Sequence, residues 1–139
     1  MNEEPQKTTM EEIFKYMQGE IQYGVEGVSS LAESIHQLNK KWWLTDLAGP
    51  TRNKGEAIAL MHSELSEALE GIRKNKQDDH IPFFKSEVVE LADCIIRILD
   101  YCAEFNLPIG SAIIYKLEYN AKRADHELEN RMKEDGKKF

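Results

Sequence analysis

Two segments of the sequence decide the fold: KGEAIALMHSELSEALEGIRKN at residues 54–75 and FFKSEVVELADCIIRILDYCAEF at residues 83–105. In both segments apolar side chains recur every three to four residues, which is the period of an α-helix. The second segment is apolar around most of its circumference, so we expect it to be the central helix. A short polar connection at residues 77–82 joins the two, and helices with short connections pack as antiparallel neighbours.

The same periodicity predicts three more helices, near residues 9–22, 28–41 and 109–124. Thr9 and Glu12 have the spacing of a capping box, which opens the first of them. Asn53 is a start signal for the helix at 54–75, and residues 42–52 are expected to form a loop. No stretch alternates like a strand over more than a few residues. The predicted fold class is therefore all-α, a four- to five-helix bundle.

The composition is that of an acidic globular chain. The 139 residues carry 25 acids against 18 bases, a formal charge of -7, so nucleic-acid or anionic-membrane binding is not expected as the main function. The longest apolar run, residues 57–61, is far shorter than the roughly 20 residues of a membrane-spanning helix. We expect one cytoplasmic domain over residues 1–139, with an N-terminal extension at 1–26 and a charged tail at 125–139.

The two cysteines fit a reducing compartment. Cys94 and Cys102 are eight residues apart on one predicted helix, and the helical rise separates them by about 12 Å. That distance exceeds the roughly 7 Å limit between the Cα atoms of a disulfide. Both are therefore expected to be reduced residues of the core.

Four acids occupy unusual positions on the two central helices. Glu64 projects inside the apolar arc of the first helix, and Glu67 lies at its edge. Glu90 and Asp93 repeat the three-residue spacing on the second helix, so antiparallel packing brings all four together. A carboxylate that faces a core is unfavourable by several kcal/mol unless it is paired or bound to a cation. The pattern predicts a site for a hard divalent cation such as Mg²⁺.

Basic and polar side chains line up near these acids. Lys116, Asn120 and Arg123 fall within about 60° of one another on the last long helix, and Arg97 lies one turn beyond Asp93. Because Mg²⁺ is readily shared between carboxylates and substrate phosphates, the combination indicates polyphosphate hydrolysis. The simpler alternative is that the bases only neutralise the acids in interhelix salt bridges.

Two further features of the sequence are weaker signals. Trp42 and Trp43 lie at a helix-to-loop junction, where core packing is the default and stacking on a nucleobase is the alternative, with Trp43 as the candidate. Glu33 and His36 have the spacing of a di-iron ligand pair, but that site needs a second such pair. A structural role is therefore expected for His36.

The sequence resembles the MazG-like all-α nucleoside triphosphate pyrophosphohydrolases in three features. These are ELSE at residues 64–67, ELAD at residues 90–93, and the later polar trio of Lys116, Asn120 and Arg123. The resemblance spans roughly residues 41–123, including KWW at 41–43, and it extends to the closing GKKF at 136–139. It implies hydrolysis of (deoxy)nucleoside triphosphates to the monophosphate and pyrophosphate, for control of the nucleotide pool. It also implies Mg²⁺ or Mn²⁺ as cofactor and assembly into a homo-oligomer, a dimer or a tetramer.

The resemblance also assigns roles to residues. It implies that the four acids are metal ligands and that one of them, with Glu67 as the first choice, orients or deprotonates the attacking water. Lys116 and Arg123 would bind the triphosphate, and Asn120 would contact phosphate or sugar. Arg97 is either a partner of the acids or a phosphate ligand.

Two alternative functions stay open at this point. One is a narrower activity of the same superfamily, on dUTP or on a phosphoribosyl nucleotide, because the sequence does not reveal which atoms read the base. The other is a non-enzymatic helical interaction protein, whose acids form a solvated or partner-binding face. A substrate panel separates the first alternative from a broad pyrophosphohydrolase, and metal-binding calorimetry tests the second.

Overall fold

The fold is all-α. The computed structural model describes residues 8–45, 49–50, 53–123 and 128–135. Its helices are α1 (Met10–Asn39), α2 (Lys54–Lys74), α3 (Ser86–Glu104), α4 (Ile109–Lys122) and α5 (Leu128–Arg131). The all-α part of the predicted fold class is confirmed, and none of these helices is long and apolar enough to cross a lipid bilayer.

The prediction of two N-terminal helices is wrong, because a single helix, α1, runs through the predicted break. The break was placed between residues 22 and 28, where Gly24 and Gly27 interrupt the periodicity. A glycine destabilises a helix interior by only about 1 kcal/mol relative to alanine, whereas a proline does so by about 3, and this segment contains no proline. The capping box at the start is confirmed: Thr9 Oγ1 accepts from the Glu12 backbone N–H, and Glu12 Oε2 accepts from the Thr9 N–H.

The segment after α1 is more regular than the predicted loop. A 3₁₀ helix, Lys40–Trp42, leads into two strands, β1 (Leu44–Thr45) and β2 (Gly49–Pro50), which pair antiparallel. Strands of two residues are too short to produce a readable alternation, so periodicity misses them. Residues 46–48 and 51–52 of the predicted loop lie outside the described residues, as do residues 1–7 of the predicted extension and 124–127 and 136–139 of the tail region.

The chain divides into two compact units, which we describe separately; the predicted single domain stays a prediction. Unit 1 combines Met1–Ser29 with Pro108–Phe139, and unit 2 is Ser30–Leu107. In unit 1, α4 begins against α1 at Gly110. A Cβ there would lie 2.8 Å from Ser29 Oγ and 2.8 Å from Val25 Cγ1, so a larger residue would push the two helices apart.

Unit 2 is built on the antiparallel pair of α2 and α3. Asn53 caps α2 through a hydrogen bond from the Gly55 N–H, as its sequence signal predicts. At the other end Gly71 lets α3 approach closely, since a Cβ there would lie 3.0 Å from the Glu87 backbone nitrogen. Ala57, Met61 and Ala68 of α2 are buried. This packing fixes the face that α2 turns towards α3, and with it the position of Glu64.

Both cysteines are reduced and buried, as predicted. Cys94 and Cys102 lie on α3 and form no disulfide. The Cys94 thiol lies 3.6 Å from the Met61 carbonyl oxygen on α2, so it donates a weak hydrogen bond within the helix pair. Burial raises the pKa of the Cys102 thiol above its ordinary value, which keeps it protonated and unreactive.

Candidate metal centre and adjoining cavity

Three carboxylates meet between α2 and α3. One oxygen each of Glu64, Glu90 and Asp93 lies within 4.8 Å of the others. The three form a gradient of burial: Glu64 is only 6% exposed, Glu90 is half-buried and Asp93 is exposed. We call these three residues the acid triad. Its open end at Asp93 gives a ligand or a substrate a way in from solvent.

The fourth predicted acid lies beside the acid triad and outside its tight group. Glu67 is exposed on α2, one helical turn beyond Glu64. It lines the same cavity of about 680 Å³, the acidic cavity, whose walls include Glu64, Glu67, Glu90, Asp93, Arg97 and Lys76. The structure therefore brings all four predicted acids to one cavity and only three of them within mutual reach of a single ion.

Arg97 is bound to the most buried acid. Its Nε donates to Glu64 Oε1 across 2.6 Å, from a side chain that is itself 36% exposed. The guanidinium thus neutralises one carboxylate of a cluster that holds three. The sequence left two roles open for Arg97, a partner of the acids or a phosphate ligand. In the structure Arg97 is paired with an acid.

The carboxylates of the acid triad lie close together, so their negative charges repel one another. Burial raises the pKa of Glu90 above its ordinary value, and the neighbouring carboxylates, Glu67 foremost, raise it further. Burial also raises the pKa of Asp93, with Glu64 acting in the same direction and Arg97 against it. Each raised pKa means that the charged form is disfavoured in the folded protein. Among the described residues, Arg97 is the base paired with the three carboxylates, so negative charge predominates in the cluster.

These shifts predict the effect of pH on the metal-free protein. Because the pKa of Glu90 is higher in the folded chain than its ordinary 4.5, its charge lowers the free energy of unfolding at neutral pH. That penalty is relieved as the pH falls through the raised pKa, and it vanishes below about 4.5. We expect Glu90→Gln to be more stable than the wild type at pH 7 in a chelating buffer, with the difference closing towards pH 4.

Urea unfolding of both proteins across that pH range measures the difference directly. Subtracting one curve from the other removes the titration of those carboxylates that do not interact with Glu90. A Glu90→Gln protein that is less stable than the wild type at pH 7, or a difference independent of pH, would contradict the prediction.

The residues fit a divalent cation. All three side chains of the acid triad offer oxygen, the ligand atom that Mg²⁺ and Mn²⁺ prefer. Adjacent ligands of an octahedral Mg²⁺ are roughly 3 Å apart and opposite ligands roughly 4.2 Å. Three oxygens that already lie within 4.8 Å of one another need side-chain movements of roughly 1–2 Å to reach those separations. Glu64 keeps a second oxygen besides the one that Arg97 occupies.

Two lysines that sequence reasoning missed line the acidic cavity. Lys74 is in the last turn of α2, and Lys76 is in the connection to α3. A hydrogen bond with Asp79 raises the pKa of Lys76, and Glu90 acts in the same direction, which places this cation within electrostatic reach of the acid triad. The signal in the sequence was their position two to three turns beyond ELSE, Lys74 in the last turn of the helix and Lys76 just after its end.

A second cavity adjoins the first. It has a volume of about 410 Å³, and its walls include Asn39, Trp42, Trp43, Asp93, Arg97 and Asp100. We call it the aromatic cavity. Asp93 and Arg97 line both cavities, so the two spaces share a wall at the open end of the acid triad.

The two tryptophans differ in environment. Trp43 is 2% exposed and packs edge-on against Phe105, with ring centroids 5.7 Å apart. Trp42 is 58% exposed and also lines the aromatic cavity. Stacking of a base on Trp43 stays a prediction, and the structure adds Trp42 as a second candidate.

A buried carboxylate organises the wall of the aromatic cavity, and the sequence reasoning missed it. Asp100 Oδ2 accepts from Trp43 Nε1 at 2.9 Å and from Asn39 Nδ2 at 3.1 Å. Its Oδ1 lies 2.9 Å from His36 Nδ1, and His36 Nε2 lies 3.3 Å from Glu104. His36 thus lies between two carboxylates, and the structural role expected for it stays a prediction. The overlooked signal was spacing, because Asp100 continues the polar strip of Glu90, Asp93 and Arg97 along α3.

The predicted trio of Lys116, Asn120 and Arg123 lies in unit 1: the first two are on α4, and Arg123 directly follows its last residue. Lys116 Nζ is 4.9 Å from the Tyr119 ring centroid, and the Arg123 guanidinium carbon is 5.6 Å from it, so both cations gather at one aromatic ring. Asn120 lines an apolar cavity between α1 and α4, and its side-chain oxygen is buried without a hydrogen-bond partner among the described residues. The phosphate- and sugar-binding roles of these three residues stay predictions.

Comparison with known proteins adds no family to this description. No protein-family model, no curated protein and no solved structure matches the chain. The likeness to MazG-like pyrophosphohydrolases therefore rests on the residues alone.

Proposed function

We propose that this protein is a metal-dependent pyrophosphohydrolase, which converts (deoxy)nucleoside triphosphates to the monophosphate and pyrophosphate. The observation that carries the proposal is the acid triad, three carboxylates with oxygens within 4.8 Å and one arginine to balance them. A purely structural salt-bridge network would pair acids with bases, whereas here Glu90 and Asp93 are held with raised pKa values. Such shifts are typical of functional sites.

The chain's own residues divide the work of this reaction. Glu64, Glu90 and Asp93 hold the ion, with Glu67 as the fourth predicted ligand. A bound Mg²⁺ or Mn²⁺ neutralises phosphate charge and lowers the pKa of a coordinated water. Glu67, which lines the acidic cavity outside the acid triad, is the acid best placed to orient or deprotonate the attacking water.

Two groups of residues supply positive charge to the triphosphate. Arg97 and Lys76 line the acidic cavity itself, where they stabilise charge that builds up as the bond between the α- and β-phosphates breaks. Lys116 and Arg123, with Asn120, supply further phosphate or sugar contacts, as the resemblance to the MazG-like family implies. No covalent nucleophile on the protein is required.

The base end of the nucleotide belongs in the aromatic cavity. This cavity shares Asp93 and Arg97 with the acidic cavity, and it is bounded by two tryptophans. A nucleotide with its phosphates at the acid triad therefore has an aromatic wall next to it. Base stacking on an indole is worth about 1–3 kcal/mol and tolerates several bases.

Pyrophosphate release measures the proposed activity. The full chain is incubated with each common dNTP and NTP and with dUTP, in Mg²⁺ or Mn²⁺, and pyrophosphate is converted to phosphate for colorimetric detection. Turnover of several nucleotides supports a broad pyrophosphohydrolase, and turnover of dUTP alone supports the narrower alternative. No release from any nucleotide with either metal would overturn the proposal.

Titration calorimetry separates the enzyme from a non-enzymatic acidic protein. Mn²⁺ is titrated into the chain, alone and with a nonhydrolysable triphosphate. The proposal expects saturable binding that tightens when the triphosphate is present, because the ion is shared between carboxylates and phosphates. The absence of binding in both titrations would favour an acidic interaction surface.

We also propose that two copies of the chain assemble through α2 and α3. Seven large apolar residues on these helices are 41–58% exposed, and we call them the apolar stripe: Ile58, Leu65, Leu69, Ile72, Val88, Leu91 and Ile95. An apolar surface of this extent at helical spacing is typical of an interface.

The apolar stripe lies on a single face of the helix pair. On α2 each member of the apolar stripe comes directly after a buried residue that faces α3. On α3, Ile95 comes directly after the buried Cys94. One residue corresponds to a rotation of about 100° around the helix axis. Because α2 and α3 are antiparallel, this rotation leads from their mutual contact to the same side of the helix pair on both helices. Asp93 and Glu67 instead precede the buried Cys94 and Ala68, so they lie on the opposite face. A two-fold axis through the apolar stripe therefore packs the α2–α3 pairs of two copies against each other as four helices. The acidic cavities lie on the opposite face and stay open.

Leu91→Asp is expected to separate the copies. An unpaired carboxylate buried in each half of a symmetric interface is unfavourable by several kcal/mol, so the dimer dissociation constant should rise at least about a hundredfold. Sedimentation velocity measures the state of association. Leu38→Asp is the matched control, because Leu38 is 77% exposed on α1 and outside the apolar stripe. A monomeric wild type, or a Leu91→Asp protein that stays dimeric, would contradict this proposal.

A further inference from the structure

The buried carboxylate of Asp100 has three hydrogen-bonding partners. It is 5% exposed and lies within hydrogen-bond distance of an indole N–H, a carboxamide N–H and an imidazole nitrogen. A buried carboxylate is strongly unfavourable unless it is hydrogen-bonded or paired. The three donors therefore do more than satisfy Asp100, because each donor side chain is itself held in place by the shared acceptor.

The donors belong to the elements around the aromatic cavity. His36 and Asn39 come from the last turns of α1, and Trp43 follows the 3₁₀ helix. Glu104, on the other side of the His36 ring, fixes the imidazole between two carboxylates. The network thus ties the end of α1 and the Trp43 indole to α3, all within unit 2.

Asp100 is too far from the acid triad to hold the ion. It lies seven residues after Asp93 on α3, which corresponds to about 10 Å along the helix axis. Three members of its network, Asn39, Trp43 and Asp100 itself, nevertheless line the aromatic cavity, which Asp93 also reaches. The network is therefore part of the wall that a ligand bound at the acid triad would meet at its other end.

We propose that Asp100 is a positioning residue for the base of the nucleotide, acting through Trp43 and Asn39, whose side chains it holds in the wall of the aromatic cavity. This inference rests on the proposed function. Asp100 determines the affinity for the base and has no part in metal binding or in the chemical step.

Asp100→Asn tests the proposal with the smallest change of shape. The asparagine amide has one acceptor oxygen and one NH₂ group, so it turns a donor towards either His36 or the pair of Asn39 and Trp43. With the nucleotide that the wild type hydrolyses best, we expect KM to rise about tenfold and kcat to change less than twofold. The affinity for Mn²⁺ without nucleotide, and the inhibition constant of inorganic tripolyphosphate, which has no base, should match the wild type.

Leu99→Ala is the control for simple destabilisation. Leu99 is the neighbouring residue on α3, also 5% exposed, and it does not line the aromatic cavity. Its truncation should lower stability without raising KM. An equal rise of KM in Leu99→Ala and Asp100→Asn would mean that loss of packing, rather than loss of the anchor, is responsible, and the inference would be wrong.

A double-mutant cycle with Trp43→Phe identifies the route from Asp100 to the ligand. Phenylalanine keeps an aromatic ring and removes the N–H that donates to Asp100. If Asp100 acts through that bond, the KM of the double variant should be close to that of Asp100→Asn alone. If the rise of KM in the double variant equals the product of the rises in Asp100→Asn and Trp43→Phe, the two residues act independently, and the proposal that Asp100 acts through Trp43 is wrong.

A spectroscopic measurement does not depend on activity. The chain has two tryptophans, so in a Trp42→Phe background Trp43 is the sole source of indole emission. Replacing Asp100 by Asn in that background should shift the emission to longer wavelength and increase quenching by acrylamide, with unchanged helical circular dichroism. Unchanged emission and quenching would show that Asp100 does not hold the indole.

The outcomes separate this inference from the proposed function. A wild type that releases no pyrophosphate from any nucleotide defeats the proposed function, and the inference about base positioning falls with it. A wild type that is active, together with an Asp100→Asn protein that has wild-type KM, defeats only the inference.

Discussion

Asp93→Asn is expected to lower both the Mn²⁺ affinity and the rate of pyrophosphate release by about a hundredfold or more. Loss of a residue that merely supports a metal ligand already reduces affinity or activity 10- to 100-fold, and a direct ligand contributes more. The fold should survive, because Asp93 is exposed and its charge is disfavoured by its surroundings. Calorimetry with Mn²⁺ and the pyrophosphate assay measure the two effects.

Glu64→Gln and Glu56→Gln complete the experiment. Glu64→Gln should be equally inactive, with an added loss of stability because Arg97 loses its ionised partner. Glu56, in the first turn of α2, is exposed and outside the acid triad, so Glu56→Gln should retain wild-type metal affinity and turnover. If both Asp93→Asn and Glu64→Gln keep wild-type turnover, the acid triad is not the catalytic metal site.

Trp43→Ala is expected to reduce the free energy of unfolding by about 3–5 kcal/mol, the usual range for truncating a large buried aromatic residue. The indole is 2% exposed, packs edge-on against Phe105 and donates to Asp100. Its removal leaves a void and also withdraws one donor from a buried carboxylate. Since small domains are stable by only about 5–15 kcal/mol, a large part of the total would be lost.

The neighbouring tryptophan provides the matched control. Trp42→Ala makes the same chemical change one residue away, at a side chain that is 58% exposed, and it should reduce the free energy of unfolding by less than about 1 kcal/mol. Urea denaturation followed by circular dichroism measures both variants. Similar losses of stability in the two variants would contradict the assignment of Trp43 to the core.

The helices of unit 2 could be predicted because their signals are local. The predicted ranges 54–75 and 83–105 match α2 and α3 to within three residues at each end. Apolar periodicity also put Glu64 on the inner face of α2, where it is buried. The prediction failed between residues 22 and 28 of α1, since glycine weakens a helix without ending it.

The candidate site was predicted in part. The three-residue spacing of the acids correctly indicated that they share one cavity, yet it did not distinguish Glu67 from the three that lie within 4.8 Å. Spacing on α3 places Asp100 on the polar strip of Glu90, Asp93 and Arg97, but it does not reveal that Asp100 is buried and hydrogen-bonded. Its three donors come from segments some 60 residues earlier in the chain.

The amino-acid sequence by itself determined the helices and the side of each helix on which an acid lies, because helical periodicity assigns every side chain an angle about its own axis. Only the tertiary structure decided which acids come together, that Arg97 pairs with Glu64, and that Asp100 anchors Trp43. These contacts depend on the distance between helices and on how far one is shifted along the other. Packing across the whole unit sets both quantities, and no pattern within a single helix contains them.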